Sequence, residues 1–260
     1  MKHVEKYITR KSLIYKTEVE YGDYTLNHIQ GCAHGCTFPC YAYMMAKRFG
    51  KIKCYNEWIQ PALVSNAKEL LQFELPKYKD KIDILHLCFT TDPFMYEYED
   101  IKQESLQILK ICNDYGVKCS VLTKGILPIE LGSLSKKNEY GITLVSLDEK
   151  FHEEYEPYTA NYEERVQALE KLHKAGFYTW VSMEPYPTPN IVEQDIELIL
   201  NKIKFVDKII FGRLNYNKLV SEYKECKSFY KLCTKQVIDF CNCNKISYHI
   251  KKGTVDKSLE

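Results

Sequence analysis

The sequence predicts an α/β protein built on a largely parallel sheet. From about residue 60 onward, short and nearly continuous apolar runs alternate with longer stretches of helical periodicity. The links between them are short, and two helical stretches stop at a glycine. In order, "PALVSNAKELLQFELPKY" puts Leu63, Ala67, Leu70, Leu71 and Leu75 on one side of a helix. "KIDILHLCFT" reads as a buried strand, and "EDIKQESLQILKICNDYG" as a helix ended by Gly116. "VKCSVLTKG" and "GITLVSLD" are strands with a short helix-like piece between them. "NYEERVQALEKLHKAG" is a helix stopped at Gly176, followed by the strand "FYTWVSMEP". The helix "IVEQDIELILNKI", the strand "VDKIIFGRL", the helix "FYKLCTKQVIDFCNC" and the strand "KISYHI" complete the pattern. The pattern alone does not separate a doubly wound sheet from a closed or partial barrel.

No composition shift or linker divides the chain, so residues 1–260 are expected to form one domain. The 45% hydrophobic and 27% charged composition is globular. No apolar run is long enough to span a bilayer, and "MKHVEKYITRKS" has no apolar signal core, so a cytoplasmic location away from membranes is expected. A net charge of +1 leaves no broad electrostatic footprint for nucleic acid. Eleven cysteines in such a chain favour reduced thiols over disulfides. Cys88, Cys112 and Cys119, set among apolar residues, are expected to be buried hydrophobes.

In α/β proteins of either winding, chemistry gathers at the C-terminal ends of the strands. The polar residues there are Thr90, Thr91, Asp92, Thr123, Lys124, Ser146, Asp148, Glu184 and Arg213. Each taken singly also suits a turn or a helix cap. The densest feature is "NHIQGCAHGCTFPCYAYMM", in which Cys32, Cys36 and Cys40 are each three residues apart. Gly31, Gly35 and Pro39 favour a loop there over a helix. Three thiolates are one short of a closed metal site. Either His34 or a remote residue completes a structural zinc site, or the fourth position is kept open for a reactant.

"GCAHGCTFPCYAY" resembles the cluster-binding loop of the radical S-adenosylmethionine (radical SAM) superfamily, in the branch of spore photoproduct lyase and its uncharacterised relatives. The resemblance extends through the T-D-P-aromatic turn of "TTDPFMYEYE", the "VLTKG" strand end and the segment "VSLDEKFHEEYEPYTANYEERVQALEKLHKAG", covering roughly Asn27 to Asn190 and weakly Arg213. The spacing departs from the usual three-then-two by one residue, consistent with Pro39 bulged out and Phe38 standing before the last cysteine.

This resemblance implies a partial (β/α)6-type TIM barrel: an N-terminal extension (1–26), a core (27–215) and a C-terminal helix and strand (216–260). It implies a 4Fe-4S cluster held by Cys32, Cys36 and Cys40, with S-adenosylmethionine on the open iron. Reductive cleavage would then give a 5′-deoxyadenosyl radical that takes hydrogen from a substrate. Thr90, Thr91 and Asp92 would receive the methionine ammonium, Lys124 and Arg165 its carboxylate, and Ser146 and Asp148 the ribose. Phe38 or Tyr41 would approach the nucleotide, and Glu184 the nucleotide or the substrate. Tyr96 and Tyr98 lie where radical-quenching tyrosines would fall. An electron donor such as a flavodoxin or ferredoxin is implied, while nucleic acid, peptide and small molecule all stay open as substrate. DNA-lesion lyase activity is disfavoured by the near-neutral charge and the lack of an assignable donor cysteine. Of another class is a zinc-stabilised binding protein without redox chemistry. Cys226, Cys233, Cys241 and Cys243 raise an auxiliary cluster, but their spacing is not a ligand pattern, and Cys226 and Cys233 would share one helix face as core residues do.

Overall fold

The computed structural model describes residues 2–255; residue 1 and residues 256–260 of the expected domain lie outside the described residues. Eleven strands occur among them: β1 (Lys6–Ile8), β2 (Ile14–Lys16), β3 (Tyr24–Leu26), β4 (Ile29–Gln30), β5 (Ala62–Val64), β6 (Leu85–Leu87), β7 (Cys119–Thr123), β8 (Glu139–Thr143), β9 (Tyr178–Tyr186), β10 (Lys208–Arg213) and β11 (Ser247–Ile250). The helices are α1 (Tyr41–Arg48), α2 (Tyr55–Trp58), α3 (Ala67–Tyr78), α4 (Glu99–Asp114), α5 (Glu149–Tyr155), α6 (Tyr162–Lys174), α7 (Ile196–Lys202), α8 (Lys218–Glu222) and α9 (Cys226–Asn244).

The main sheet has eight strands in the order β11-β10-β9-β8-β7-β6-β3-β2. From β3 to β11 every pair is parallel, and only β2 runs antiparallel at the edge. Spatial order follows chain order without reversal. A doubly wound sheet must reverse at its switch point, so this winding is that of a barrel. The barrel is partial, because β2 and β11 do not pair. A separate three-stranded sheet, β1-β5-β4, stands beside it.

Most expected elements form as read. Gly116 and Gly176 follow α4 and α6 with φ of +77° and +81°, the left-handed conformation that a helix stop requires. Two expectations need correction. Residues 62–64, read as helical, form β5, which pairs with both β1 and β4, and α3 starts only at Ala67. The residues read as an extension supply β2 and β3 of the main sheet, with Tyr24–Leu26 in register with Leu85–Leu87. Alternation sorts the sheet residues. Leu85, Leu87, Val121, Ile142, Val181 and Phe211 join the core beneath the helices, while His86 and Trp180 turn the other way, toward Tyr21.

The four C-terminal cysteines all lie on α9. Cys233 and Cys241 are buried in the core, whereas Cys243 is exposed. At about 1.5 Å rise per residue, Cys226 and Cys243 are roughly 25 Å apart. The four cannot meet on one cluster, and Cys226, like Cys233, packs against the core as expected of core residues. Cys88, Cys112 and Cys119 are buried as expected.

Candidate active site

The cysteine loop leaves the end of β4 and enters α1, with Cys40 as the N-cap residue. Gly31 and Gly35 turn it with φ of +83° and +66°. A Cβ at Gly31 would lie 2.6 Å from the Trp58 carbonyl, and one at Gly35 the same distance from the Tyr158 ring. No other residue type fits these two bends. Cys32, Cys36 and Cys40 are partly exposed free thiols. Burial pushes the Cys36 thiol up to about 12 against the pull of Lys124, and it raises Cys32 as well. Loading a metal here must therefore displace protons.

His34 is buried and ties the loop to the T-D-P turn. Its Nε2 accepts from the Tyr96 backbone N–H at 3.0 Å, and its Nδ1 lies 3.5 Å from Asp92. Both ring nitrogens thus face partners within the protein. Among the described residues, no group of three His, Cys, Asp or Glu side chains is disposed to hold one metal ion. A zinc site needs its donors gathered within about 2.3 Å of a single centre, whereas a cube takes each thiolate on a different iron. The three soft donors on one loop fit an iron–sulfur cluster.

Asp92 organises the next loop. Its Oδ1 accepts from the Phe94 N–H at 2.9 Å and the Thr123 hydroxyl at 2.6 Å. Its Oδ2 accepts from the Lys124 N–H at 2.8 Å. With His34 alongside, the carboxylate's sites are filled. A Cβ on Gly125 would sit 1.8 Å from the Phe94 carbonyl, so the T-D-P turn and the T-K-G strand end close on each other. Thr90 is exposed, and its hydroxyl donates to Asn27 at 3.0 Å; Thr91 is half-buried.

Beside Cys36 lies a cation–carboxylate–cation chain. Lys124 Nζ is 3.8 Å from Cys36 Sγ, 2.6 Å from Glu156 Oε1 and 4.4 Å from the Phe38 ring centre. Arg165 Nη2 donates to Glu156 Oε2 at 2.8 Å and to the Thr159 hydroxyl. Its Nε and Nη1 donate to the carbonyls of Ala160 at 2.8 Å and Thr143 at 3.0 Å. The Glu156 and Arg165 side chains are fully buried, while 14% of Lys124 stays exposed. Burial alone would raise the Glu156 carboxyl, but Lys124 and Arg165 overturn it and hold the pKa at about 2. The sequence reading missed Glu156. It stands in the acidic run "HEEYEP", which looks like a solvated helix end.

The other expected residues are dispersed. Phe38 is buried and stacks on Phe151 and Tyr155 of α5, while Tyr41 is exposed. The Ser146 hydroxyl accepts from the Asp148 N–H at 3.0 Å, and Asp148 caps α5 through Phe151 N–H at 2.7 Å. Tyr98 packs against the small cluster of Val4, Ile29, Leu63, Cys88, Met95 and Ile101, on which Cys32 and Ala33 also rest. Tyr96 is half-buried. Glu184 shares the sheet's inner side with Tyr21 and Lys251, and burial lifts its carboxyl against the pull of Lys251. Glu20 spans the unpaired edges: from the loop between β2 and β3 it binds His249 at 2.9 Å and Lys251 at 3.4 Å.

The partial parallel barrel thus carries three cysteines grouped on one loop, with a buried ion chain beside them. The chain belongs to the Radical SAM superfamily, whose family model matches residues 26–203. It is similar to the uncharacterised protein MJ0683 of Methanocaldococcus jannaschii, at 27% identity over 84% of this chain and 80% of that one. It is likewise similar to the uncharacterised ORF301 of Acidianus two-tailed virus, at 26% identity over 83% and 75%. Among solved structures, spore photoproduct lyase complexed with a dinucleoside spore photoproduct matches 94% of this chain and 80% of its own, with TM-score 0.69 and 14% identity. SuiB of Streptococcus suis bound to S-adenosylmethionine matches 87% of this chain and 46% of its own, with TM-score 0.55 and 12% identity. These two likenesses are of fold. Among the described residues, no helix is long and apolar enough to cross a membrane.

Proposed function

We propose that the protein is a radical SAM enzyme, of lyase or transferase type, that acts on a substrate held at the mouth of the partial barrel. The observation that carries this reading is the trio of half-buried cysteines on one loop whose own imidazole, His34, is already engaged. When bound, a 4Fe-4S cluster on Cys32, Cys36 and Cys40 supplies the single electron that splits S-adenosylmethionine into methionine and a 5′-deoxyadenosyl radical. The electron comes from a small carrier such as a flavodoxin or ferredoxin.

The chain's own residues orient and shield. Lys124 is the cation for the methionine carboxylate, because it borders Cys36 and keeps 14% of its side chain exposed. Burial works against its charge, yet Cys36 and Glu156 together leave its pKa raised, so it stays protonated. Arg165, with each of its three guanidinium nitrogens donating inside the protein, acts as a positioning residue that fixes Glu156 and through it Lys124. Asp92 holds the turn, leaving Thr90 and Thr91 to face the methionine ammonium. Ser146 and Asp148 take the ribose, Asp148 also capping α5 and Ser146 bonding the Asp148 N–H. Phe38 lines the Lys124 side, and Tyr41 lies on the exposed side of the loop. Glu184 faces the substrate from the sheet's inner side, and Tyr96 and Tyr98 stand behind His34 and Cys32 as the candidate radical-relay tyrosines.

Anaerobic protein reduced with dithionite in the presence of S-adenosylmethionine is expected to release 5′-deoxyadenosine. Lys124→Met is expected to weaken S-adenosylmethionine binding about 10- to 100-fold, the worth of a charged hydrogen bond, while keeping its iron. Full affinity in that variant would remove Lys124 from the carboxylate site. Absence of 5′-deoxyadenosine from the iron-loaded wild-type protein would remove the proposed reaction.

A further inference from the structure

Outside the barrel, on the far side of the cysteine loop, is a cleft of about 520 Å³ lined by Thr9, Arg10, Lys11, Ser12, Gln30 and Lys51. It joins the strap after β1, the end of β4 and the turn after α1. Gln30 stands two residues before Cys32, so the cleft shares a wall with the cluster loop. Three cationic residues line it. Among the described residues, no carboxylate lies within 4 Å of Arg10, Lys11 or Lys51, whereas many other lysines are paired, such as Lys68 with Glu104 at 3.2 Å and Lys118 with Glu139 at 2.6 Å. The chain has 35 acidic residues for 36 basic ones, so carboxylates are not scarce.

The cleft is built on fixed backbone. Asn66 grips Arg10 from both sides, accepting from its N–H at 3.1 Å and donating to its carbonyl at 2.9 Å. Lys51 N–H donates to the Ala46 carbonyl at 2.9 Å. Burial, and then the neighbouring Arg10 charge, lower the Lys51 pKa, as expected of like charges confined together. A guanidinium fork, two ammoniums and flanking hydroxyl and amide donors match a tetrahedral dianion, which an arginine binds through two parallel hydrogen bonds.

We propose that this cleft binds the phosphate group of a nucleotide unit belonging to the substrate, anchoring it outside the barrel while its reacting part enters the mouth. The assignment of that ligand as substrate rests on the proposed function; the phosphate site itself is read without cluster or S-adenosylmethionine. Binding of inorganic pyrophosphate, thymidine monophosphate and a fluorescent single-stranded oligothymidylate to the full chain would be measured at low and moderate salt. The wild-type protein is expected to bind all three, and the Arg10→Ser/Lys51→Ser protein to bind each at least about tenfold more weakly. Arg10→Lys, which keeps the charge but loses the fork, is expected to bind more weakly than wild type and more tightly than the double variant, and Lys227→Ser, on exposed α9 surface, to retain full affinity. Tighter binding of the oligonucleotide, per phosphate, identifies a strand as the source, while equal binding identifies a free nucleotide. Lys11→Ser, at an exposed side chain, repeats the test should the double variant fail to fold. No phosphate binding by the wild-type chain at low salt, or equal binding by the cleft variants, overturns the proposal.

Discussion

On the proposed function, replacing Cys36 with alanine is expected to prevent cluster loading and reduce 5′-deoxyadenosine formation by about a thousandfold or more, since each thiolate would hold its own iron and none would be redundant. The effect has to be all-or-none. His34 cannot move in as a substitute, because its two nitrogens anchor the loop to Tyr96 and Asp92. Cys32→Ala and Cys40→Ala are expected to behave alike. Cys226→Ala and Cys243→Ala provide the contrast: both lie on α9, away from the loop, and their iron content is expected to match wild type. Iron and sulfide assays on the five variants check this. Retention of a full cluster in Cys36→Ala would mean that another residue closes the site.

Glu156→Gln is expected to be the most destabilising conservative change near the site. It leaves the Arg165 guanidinium fully buried with its carboxylate gone, and removing one member of a buried pair costs about 3–5 kcal/mol. Urea denaturation would read this as a lower midpoint with an unchanged slope. Arg165→Met/Glu156→Gln is expected to regain part of the loss, since neither charge is then stranded. The same carboxylate sets an acid limit. Its folded pKa of about 2 lies below the unfolded value near 4.3, so its contribution is complete above that unfolded value and disappears as pH falls toward 2. The wild-type protein is expected to lose stability steeply between about pH 4.5 and 2, and Glu156→Gln to show a shallower loss there. Superimposable acid profiles for the two proteins would contradict the ion chain.

Much of this was legible in residues 67–250, where period, glycine stops and apolar strands act within a few residues of one another. The short strands β1 to β5 were not, because their partners are remote: Ile8 pairs with Val64, and Tyr24 with Leu85. Leu63 also falls in phase with Ala67 and Leu70, so a strand residue imitated the first turn of a helix. In the site, spacing alone identified the cysteine loop. The strand-end residues were visible as polar, but their hydrogen bonds were not. Asp92 and Arg165 carry the charges expected of cofactor ligands, yet they spend them on Thr123, Lys124 and Glu156. Glu156 could be recognised only once folding put two cations against it. The basic cleft was hidden for the same reason, since Arg10, Gln30 and Lys51 are scattered along a chain of net charge +1.

The most direct measurement is electron paramagnetic resonance of the anaerobically reconstituted and reduced protein, with and without S-adenosylmethionine, beside its metal content. An iron cube with a vacant corner predicts about four irons per chain and a spin-one-half signal that changes when the sulfonium compound is added. One zinc per chain without iron, or a cluster signal indifferent to S-adenosylmethionine, would contradict it.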